Sequence, residues 1–364
     1  MIVGDFAPFR AARTGVADYA AALLPALGEF CEVREGEAGA ACLYHIGNNQ
    51  LHRPIYEEAL RVPGVAVLHD AVLHHLFLGW LGRQQYLDEF AYNYGDFCRA
   101  EAVLLWEERS RSAQDPRYFE RAMVRRIAEV SRAVVVHNPG AARIVAVHAS
   151  GARVEEIPHL FAPPELPSRR TVRRWREERG LGEDTFLFGV FGHLRESKRL
   201  AAVLRAFERV RDRGLQVGLL VSGGFVSSDL ERALGQHLRG PGILRMPFCP
   251  EADFWIRASA VDACINLRYP AAGETSGIAV RLMGIGKPVL LSAGEENSRM
   301  PEDGCIRIDT GVAEEAMLIE YMVWLVQHPE DAREVGARGA RRIAERHSPR
   351  EAARRYWEVL SSCL

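Results

Sequence analysis

The sequence lacks the features that mark secreted, membrane-spanning and nucleic-acid-binding proteins. Nowhere in its 364 residues is there a run of about 18 apolar residues, and the opening residues, MIVGDF, are typical of a strand rather than of a signal peptide. The formal net charge of −2 is too small to favour nucleic acid or an acidic polymer as a partner. We therefore expect a cytoplasmic protein that does not bind nucleic acid.

The seven cysteines offer neither a disulfide framework nor a zinc site. Their number is odd, they are scattered along the chain, and no two of them have the spacing Cys-x-x-Cys. Cysteines of this kind are typical of reduced core thiols in a cytoplasmic protein.

The length of the chain predicts two domains, because 364 residues are too many for one ordinary core. The proline-rich stretch IPHLFAPPELPSRR, near the middle of the chain, disfavours regular structure and predicts an interdomain linker. We place the boundary near Leu166, so that residues 1–166 and 167–345 form the two domains. Residues 346–364 are expected to form a helix that packs back towards the N-terminal domain.

Short β-rich runs alternate with amphipathic segments in both halves of the chain. The strand candidates are MIVGD, ACLYHI, VAVLHD and AVVVHN, and then FLFGVFG, VGLLVSGG, DACINL and PVLLS. This alternation predicts an α/β fold with two doubly wound, Rossmann-like domains facing a central cleft. Because ligands of such sheets bind beyond the carboxyl ends of the strands, the motifs that directly follow strands are the candidate sites.

The stretch RYPAAGETSGIAVRLMGIGKP, residues 268–288, follows one of these strands. Thr275 or Ser276 can N-cap a helix that runs through Met283. The amides of Ser276 to Ile278 would then lie at the positive end of the helix, where phosphate binds well. For this stretch alone, a capped helix without any ligand is an equally good interpretation.

A second loop carries basic side chains from a strand into a helix. His193, Arg195 and Lys198 follow Gly192, and Arg199 precedes an apolar helical stripe formed by Leu200, Val203, Leu204, Phe207 and Val210. Cations at a helix start oppose the helix macrodipole, so an anion bound between them and the amides would resolve the conflict. The alternative is ordinary solvated surface charge.

Together, these motifs resemble those of glycosyltransferase family 4, the retaining nucleotide-sugar enzymes with the GT-B fold. In the second half, the resemblance rests on the run from Gly192 to Lys198, on LAAVLRAF and on GETSGIAVRLMGIGKPV. In the first half, TGVADYAAALLPAL is similar to that family's glycine-containing loop and VAVLHDAVLHH to its histidine-bearing loop. The resemblance covers nearly the whole chain, and it implies that the second domain binds the donor and the first the acceptor.

The resemblance also implies roles for individual residues. Lys198 would bind the donor diphosphate, Glu274 would contact hydroxyls of the transferred sugar after allowing a shift of one position, and His69 would lie near the reacting face. These three are the predicted catalytic residues. No cofactor and no metal are expected, because lysine and backbone amides would neutralise the leaving diphosphate.

The expected ligands are a nucleoside-diphosphate sugar and a hydroxyl acceptor. In this interpretation, amides of the second domain hold one side of the diphosphate and the glycine-containing loop of the first domain lines the other. The predicted donor-binding residues are Gly15, Val16, Gly192, His193, Arg195, Lys198, Glu274, Thr275, Ser276, Gly277 and Arg281.

Two positions depart from the family pattern. Where an arginine normally follows the glycine this chain has His193, so either Arg195 takes its place or Lys198 holds the diphosphate alone. The second glutamate of the family's signature would accept hydrogen bonds from the ribose. It is expected near Arg281 or Leu282 but is missing there, and the side chain of Arg281 can only donate.

The replacement leaves two alternatives for the ribose. If Arg281 faces the cleft, the advantage of a 2′-hydroxyl should shrink, and a thymidine diphosphate sugar should compete well. Otherwise Arg281 turns to a carboxylate on a neighbouring helix, and the ribose is left to backbone groups or to Glu295 and Glu296.

Three further segments allow a functional and a plainer interpretation. HDAVLHH offers His69, His74 and His75 as metal ligands, but its spacing matches no standard zinc pattern, which favours helix or core histidines. The aromatic stretch from Trp80 to Trp106 suits either an acceptor platform or the core, and the core is favoured.

The basic run Arg169–Arg179 includes Trp175 and suits either peripheral contact with the inner face of a membrane or a solvated helix. Acidic residues within the run favour the solvated helix.

The expected function is therefore a retaining, metal-independent glycosyltransferase of polysaccharide, glycolipid or glycoconjugate assembly. A nucleotide-sugar epimerase of the same fold is one alternative, and it would need acidic residues on both faces of the sugar. A nucleotide-sugar-binding protein that lost its activity with the change at Arg281 is the other.

Overall fold

The structure is a computed structural model that describes residues 1–8, 12 and 14–364. Its strands are β1 (Ile2–Phe6), β2 (Glu32–Glu35), β3 (Ala41–Ile46), β4 (Val65–Leu68), β5 (Ala133–Val136), β6 (Val154–Glu156), β7 (Phe186–Phe191), β8 (Val217–Ser222), β9 (Ile243–Met246), β10 (Ala263–Asn266), β11 (Val289–Ser292) and β12 (Ile306–Ile308). They form two parallel six-stranded sheets, with the orders β2-β1-β3-β4-β5-β6 and β12-β11-β10-β7-β8-β9.

Helices cover both sheets. They are α1 (Gly15–Leu27), α2 (Arg53–Arg61), α3 (His74–Trp80), α4 (Arg83–Tyr94), α5 (Arg99–Glu107), α6 (Arg117–Glu120), α7 (Arg125–Val130), α8 (Pro139–His148), α9 (Arg169–Glu177), α10 (Leu200–Asp212), α11 (Ser228–Leu234), α12 (Glu251–Ala260), α13 (Gly277–Gly284), α14 (Glu314–Gln327), α15 (Pro329–Arg346) and α16 (Pro349–Ser362). No helix among the described residues is both long and apolar enough to span a lipid bilayer.

The predicted doubly wound architecture is confirmed, and so is each of the eight strand candidates. Parallel strands covered by helices on both faces bury their side chains, which is why β3, β7 and β8 are buried at every position, mostly apolar and easy to find in the sequence. The four strands that the sequence analysis missed are β2, β6, β9 and β12, and all four lie at sheet edges. An edge strand is partly exposed, as β2 is, so it lacks the continuous apolar run.

The linker runs from a hydrophobic cluster of the N-terminal sheet to one of the C-terminal sheet. Ile157 and Leu160 are buried in the core of the N-terminal sheet, whereas Phe161 is buried in that of the C-terminal sheet. Leu166, the predicted boundary, is exposed in the same irregular segment. After α15 the chain crosses back, and α16 packs on α1, where the hydroxyl groups of Tyr19 and Tyr356 are 2.9 Å apart.

The basic run that suggested a membrane contact forms α9. Trp175, the aromatic residue that such a contact would use, is 8% exposed and belongs to the C-terminal core. Arg173 pairs with Glu177 at 2.8 Å, and Arg176 pairs with Asp262 at 3.1 Å. These contacts favour the interpretation of α9 as a solvated helix docked on its own domain.

Candidate functional site

Lys198 lies at the carboxyl end of β7 with its side chain directed back at the strand. It is 5% exposed, and its Nζ donates a hydrogen bond to the carbonyl of Phe191, the last residue of β7. Gly192 has a φ of +88°, and a Cβ at this position would lie 3.0 Å from that Nζ. Glycine therefore allows both the turn and the close approach of the ammonium group.

The nearby charge of Glu274 does not offset the cost of burying Lys198 beside two other cations. Burial is the largest cause that lowers its pKa well below the usual range, and the like charges of Arg268 and Arg195 lower it further. A diphosphate at this point would supply the negative charge that this group of cations is missing.

Helix α13 begins beside the same cations. Ser276 is its N-cap, and its Oγ accepts hydrogen bonds from the amide of Ala279 at 3.3 Å and from Nδ2 of Asn266 at 2.8 Å. Asn266 ends β10, so the cap is anchored to the sheet. Because the first amides of a helix have no acceptor within it, the start of α13 is suited to binding an anion. A Cβ at Gly277 would lie 3.2 Å from Nε2 of His159, which brings the linker against this turn.

Glu274 is a buried carboxylate bound within its own loop. It forms an ion pair with Arg268, and its Oε2 accepts a hydrogen bond from the amide of Ala272 at 2.7 Å. Arg195 lies 4.0 Å from Oε1. Burial raises the pKa of Glu274, but Arg268 and Arg195 outweigh it, so that the pKa falls below the usual value and the group stays ionised.

His69 follows β4 on the opposite wall of the cleft. Its Nε2 is 2.9 Å from Nδ1 of His45, and its amide donates to the carbonyl of Ile46 at 2.9 Å. Burial is the largest cause that lowers the pKa of His69 well below the usual range, followed by the nearby His137 and His45. The imidazole of His69 is therefore neutral at physiological pH.

Asp70 adds a second carboxylate to the cleft. Its Oδ2 accepts a hydrogen bond from the amide of Asn48 at 2.8 Å. Burial and then the charge of Glu274 raise the pKa of Asp70 to about 6, against the opposing effect of Arg195. Asp70 and Glu274 therefore lie close enough for their charges to interact across the cleft.

Gly15 and Val16 form the first turn of α1, which Thr14 caps by accepting a hydrogen bond from the amide of Ala17 at 3.2 Å. Asp18 lies in the same turn, and burial is the main cause that raises its pKa. Arg281 and His193, two residues of the C-terminal domain, lower that pKa. The start of α1 thus lies opposite the loops after β7 and β10, as a donor-lining role for Gly15 and Val16 would require.

The two domains contact each other directly at the loop between β10 and α13. Nδ2 of Asn138, after β5, donates to Oγ1 of Thr275 and to the carbonyl of Gly273, both at 2.9 Å. The amide of Ala71, after β4, donates to the carbonyl of Ala272 at 2.8 Å. The hydroxyl group of Thr275, a predicted donor ligand, is therefore engaged by the N-terminal domain.

Arg281 is turned to a neighbouring helix, which is the second of the two alternatives for this residue. Its guanidinium is 2.5 Å from Oε1 of Glu251 on α12 and 4.4 Å from the ring centroids of both Phe254 and Trp255. Burial is the main cause that lowers the pKa of Arg281. The guanidinium is therefore engaged both by the ion pair with Glu251 and by the two aromatic rings over its face.

The loop after β11 carries the two carboxylates considered for the ribose, Glu295 and Glu296. Glu295 pairs with Arg143 of the N-terminal domain at 2.5 Å. Glu296 is folded over Gly294, where a Cβ would lie 2.3 Å from its Oε1. Glu295 is therefore engaged by the N-terminal domain. Burial and the nearby charge of Glu274 raise the pKa of Glu296, which stays beside the candidate site.

The other two histidines of HDAVLHH lie on α3, and each of them has its own hydrogen-bond partner. Nε2 of His74 is 2.8 Å from the hydroxyl of Tyr86, and Nε2 of His75 is 3.1 Å from the carbonyl of Ser112. Within residues 1–8, 12 and 14–364, no three side chains of His, Cys, Asp or Glu are grouped so as to hold a metal ion.

Most of the aromatic stretch belongs to the core, as the sequence favoured. Tyr86 and Phe90 are fully buried, whereas Phe97 is 88% exposed. Sequence reasoning missed four polar residues of the cleft, and each of them ends a strand or follows one by two residues: Asp70, Asn138, Asn266 and Arg268. Their position at the carboxyl ends of strands was the signal that could have identified them.

Comparison with solved structures identifies the architecture. Sucrose-phosphate synthase from Thermosynechococcus elongatus has a TM-score of 0.70 and 12% identity, over 100% of this chain and 98% of that one. Anabaena Alr3699/HepE in complex with UDP and glucose has a TM-score of 0.68 and 13% identity, over the full length of both chains. WaaG, a glycosyltransferase involved in lipopolysaccharide biosynthesis, has a TM-score of 0.63 and 13% identity, over 99% and 100%.

No protein-family model and no curated protein sequence matches the chain. At identities of 12–13%, structural similarity shows the fold alone. In each of the three comparisons the similarity covers 98–100% of both proteins. The chain therefore has the GT-B fold, with two Rossmann-like domains on either side of a cleft.

Proposed function

We propose that the protein is a retaining glycosyltransferase that moves a sugar from a nucleoside-diphosphate sugar to an acceptor hydroxyl. The observation that carries the proposal is the convergence of Lys198, Arg195 and the amide end of α13 at one wall of the cleft, opposite His69. This wall suits a diphosphate, and the carboxylates of Glu274 and Asp70 beside it suit the hydroxyls of a sugar. Polysaccharide, glycolipid or glycoconjugate assembly is the process in which we expect the product to be used.

UDP-glucose is the first donor to test. Two structures of Anabaena Alr3699/HepE that share the fold contain UDP-glucose, or UDP with glucose. We extend this donor class to the present chain as part of the proposal.

In the proposed reaction, the bond between the sugar's C1 and the β-phosphate oxygen breaks, and the acceptor oxygen bonds to C1 on the same face. The acceptor proton passes to the departing phosphate oxygen. Lys198, Arg195 and the first amides of α13 stabilise the charge that develops on the diphosphate. The reaction then needs no metal ion, because these groups stand where a magnesium ion would otherwise neutralise the leaving group.

The sugar would be held between the two domains. Glu274 stays ionised in its ion pair with Arg268 and can accept hydrogen bonds from sugar hydroxyls. Neutral His69 and the carboxyl group of Asp70 approach from the other domain. Acceptor binding falls to the N-terminal side of the cleft.

A panel of nucleotide sugars, incubated with the full chain with and without EDTA, tests the proposal. Binding with slow hydrolysis that resists EDTA, and transfer in the presence of an acceptor extract, is the expected result. Interconversion of donors would make the protein an epimerase, and binding without turnover, even with acceptor extracts, would make it a non-catalytic binding protein. Failure of every nucleotide sugar to bind would overturn the proposal.

A further inference from the structure

Three buried polar side chains form a hydrogen-bonded line that ends at the cleft. Nε2 of His45 is 3.1 Å from Oδ1 of Asp5, and Nδ1 of His45 is 2.9 Å from Nε2 of His69. Asp5 lies on β1, His45 on the neighbouring β3, and His69 directly after β4, the next strand of the sheet. Asp5 is 2% exposed and His45 is not exposed, whereas His69 keeps 9% of its surface.

The position of each proton along this line follows from which atoms can donate a hydrogen bond and which can only accept one. An ionised carboxylate only accepts, so Nε2 of His45 carries the hydrogen that faces Asp5. A neutral imidazole has one N–H group, which leaves Nδ1 of His45 as an acceptor. Nε2 of His69 must then be the donor in the second bond, and Nδ1 of His69 keeps a free lone pair.

The packing around His69 keeps its ring in this orientation. The ring of Tyr19 meets it edge-on, with the centroids 4.9 Å apart, and the ring of His45 lies at 25° to it, with the centroids 5.2 Å apart. Tyr19 is itself held through its hydroxyl group, which is 2.9 Å from that of Tyr356 on α16. A ring flip that exchanged the two nitrogens of His69 would break its bond to His45.

We infer that Asp5 and His45 are positioning residues that fix His69 in the Nε2–H tautomer, so that its Nδ1 accepts a hydrogen bond from a hydroxyl group of the sugar. The inference rests on the proposed function for the identity of the ligand, but not for the tautomer. It makes His69 an acceptor at the sugar and excludes it as a proton donor there. Donors that present a hydroxyl at this point are selected over those that lack it.

Nitrogen NMR of the full chain with 15N-labelled histidine tests the tautomer at pH 8, where an ordinary imidazole is neutral. Single His69→Gln and His45→Gln variants assign the two signals. The expected result is a proton on Nε2 and none on Nδ1 for both residues. A proton on Nδ1 of His69, or an imidazolium at His45 that reverses both hydrogen bonds, would overturn the inference.

Addition of UDP-glucose tests the ligand. The signal of the unprotonated Nδ1 of His69 should shift towards the position of a protonated nitrogen with UDP-glucose and stay in place with UDP alone. An equal response to UDP and UDP-glucose contradicts a contact with the sugar. If no nucleotide sugar binds at all, the proposed function fails, and the tautomer assigned in the free protein still decides the role of Asp5 and His45.

Kinetics separate positioning from folding. His45→Phe keeps the ring and removes the acceptor, and it should lower kcat by about tenfold or more while leaving the affinity for UDP within twofold. His74→Phe is the matched control, since His74 is also buried but lies outside the line, and it should change neither value. Unchanged kcat in folded His45→Phe would show that the line has no functional role.

Discussion

The carboxylate of Glu274 pairs with the guanidinium of Arg268, six residues earlier on the same loop. The pair keeps Glu274 ionised in the free protein, since Arg268 helps to hold the pKa of Glu274 low. The same guanidinium helps to lower the pKa of Lys198. One arginine therefore helps to keep the Glu274 carboxylate charged and also helps to lower the pKa of the neighbouring Lys198.

Removing the ammonium group of Lys198 should weaken the binding of nucleoside diphosphate. A charge-assisted contact of this kind contributes about 1.5 to 3 kcal/mol, so Lys198→Ala should raise the Kd of UDP by about ten- to a hundredfold in calorimetry. Lys287→Ala is the matched control, because Lys287 is the other lysine of the sequence and also donates to a backbone carbonyl, at 2.9 Å. Equal Kd values for Lys198→Ala and the parent would show that the donor site is elsewhere.

Binding of UDP should take up protons and weaken as the pH rises. The pKa of Lys198 is well below the usual range in the free protein, and a bound diphosphate raises it, so the complex holds more protons than the free protein does. Calorimetry between about pH 7.5 and 9.5, above the range where the terminal phosphate titrates, should show this slope. Lys198→Ala should flatten it, and a parent affinity that rises with pH would contradict the linkage.

Changing Glu274 to glutamine should separate catalysis from nucleotide binding. Glu274→Gln keeps the shape of the side chain but removes the charge that accepts hydrogen bonds from sugar hydroxyls. Turnover of the nucleotide sugar should fall by about tenfold or more while the affinity for UDP survives. Loss of both in equal measure, together with a lower melting temperature, would instead mean that Arg268 without its partner disrupts the fold.

Asp70 should reduce stability at neutral pH. Its pKa is about 6 in the folded protein against an ordinary value of 3.8, so the folded state holds the proton more tightly and loses stability as the pH rises between these values. Asp70→Asn removes this penalty and should raise the unfolding free energy at pH 7.5 by at most about 3 kcal/mol, with a much smaller change near pH 4.

Asp184→Asn is the control for this comparison, because Asp184 is exposed and lies before β7, at the opposite end of that strand from the cleft. This variant should change the melting temperature only slightly, and by about the same amount at pH 7.5 and pH 4. An Asp70→Asn protein that is less stable than the parent at pH 7.5 would show that the charge of Asp70 is favourable in the fold.

The sequence was sufficient for the central part of the fold and for the local patterns at one side of the candidate site. The central strands were predictable because burial on both faces requires apolar side chains, as in β7 and β8, whereas edge strands such as β9 carry no such requirement. Gly192, Lys198 and Ser276 were predictable because a turn, a cation and a helix cap each leave a local pattern. Predicting their nearness to one another required the parallel order of β10 and β7 as well.

Contacts between distant segments left no local pattern. Asn138 and Thr275 are 137 positions apart, and nothing near either one indicates the other. The partner of Arg281 was one of several carboxylates within reach of a long side chain. The line from Asp5 through His45 was not predicted either, because its members lie 40 and 24 positions apart and meet only through strand order.

The ribose should be bound with little preference for its 2′-hydroxyl. Position 281 carries a donor in place of the expected acceptor, and that donor is committed to Glu251 and to the rings of Phe254 and Trp255. With no acceptor at position 281 to leave unpaired, the loss of the 2′-hydroxyl should cost less than about 1.4 kcal/mol, a factor of ten. Comparing the affinities of UDP, dUDP and dTDP measures this, because dUDP isolates the hydroxyl from the added methyl group.

Restoring a carboxylate at position 281 gives the complementary test. Arg281→Glu places an acceptor on α13 but sets it beside Glu251, so the double variant Arg281→Glu/Glu251→Arg keeps the ion pair with reversed polarity and serves as the control for stability. If this part of α13 lies at the ribose, both variants should favour UDP over dUDP about tenfold more than the parent does. An unchanged ratio in two folded variants would place the ribose away from α13, and a parent that already prefers UDP more than tenfold would mean that another residue accepts the hydroxyl.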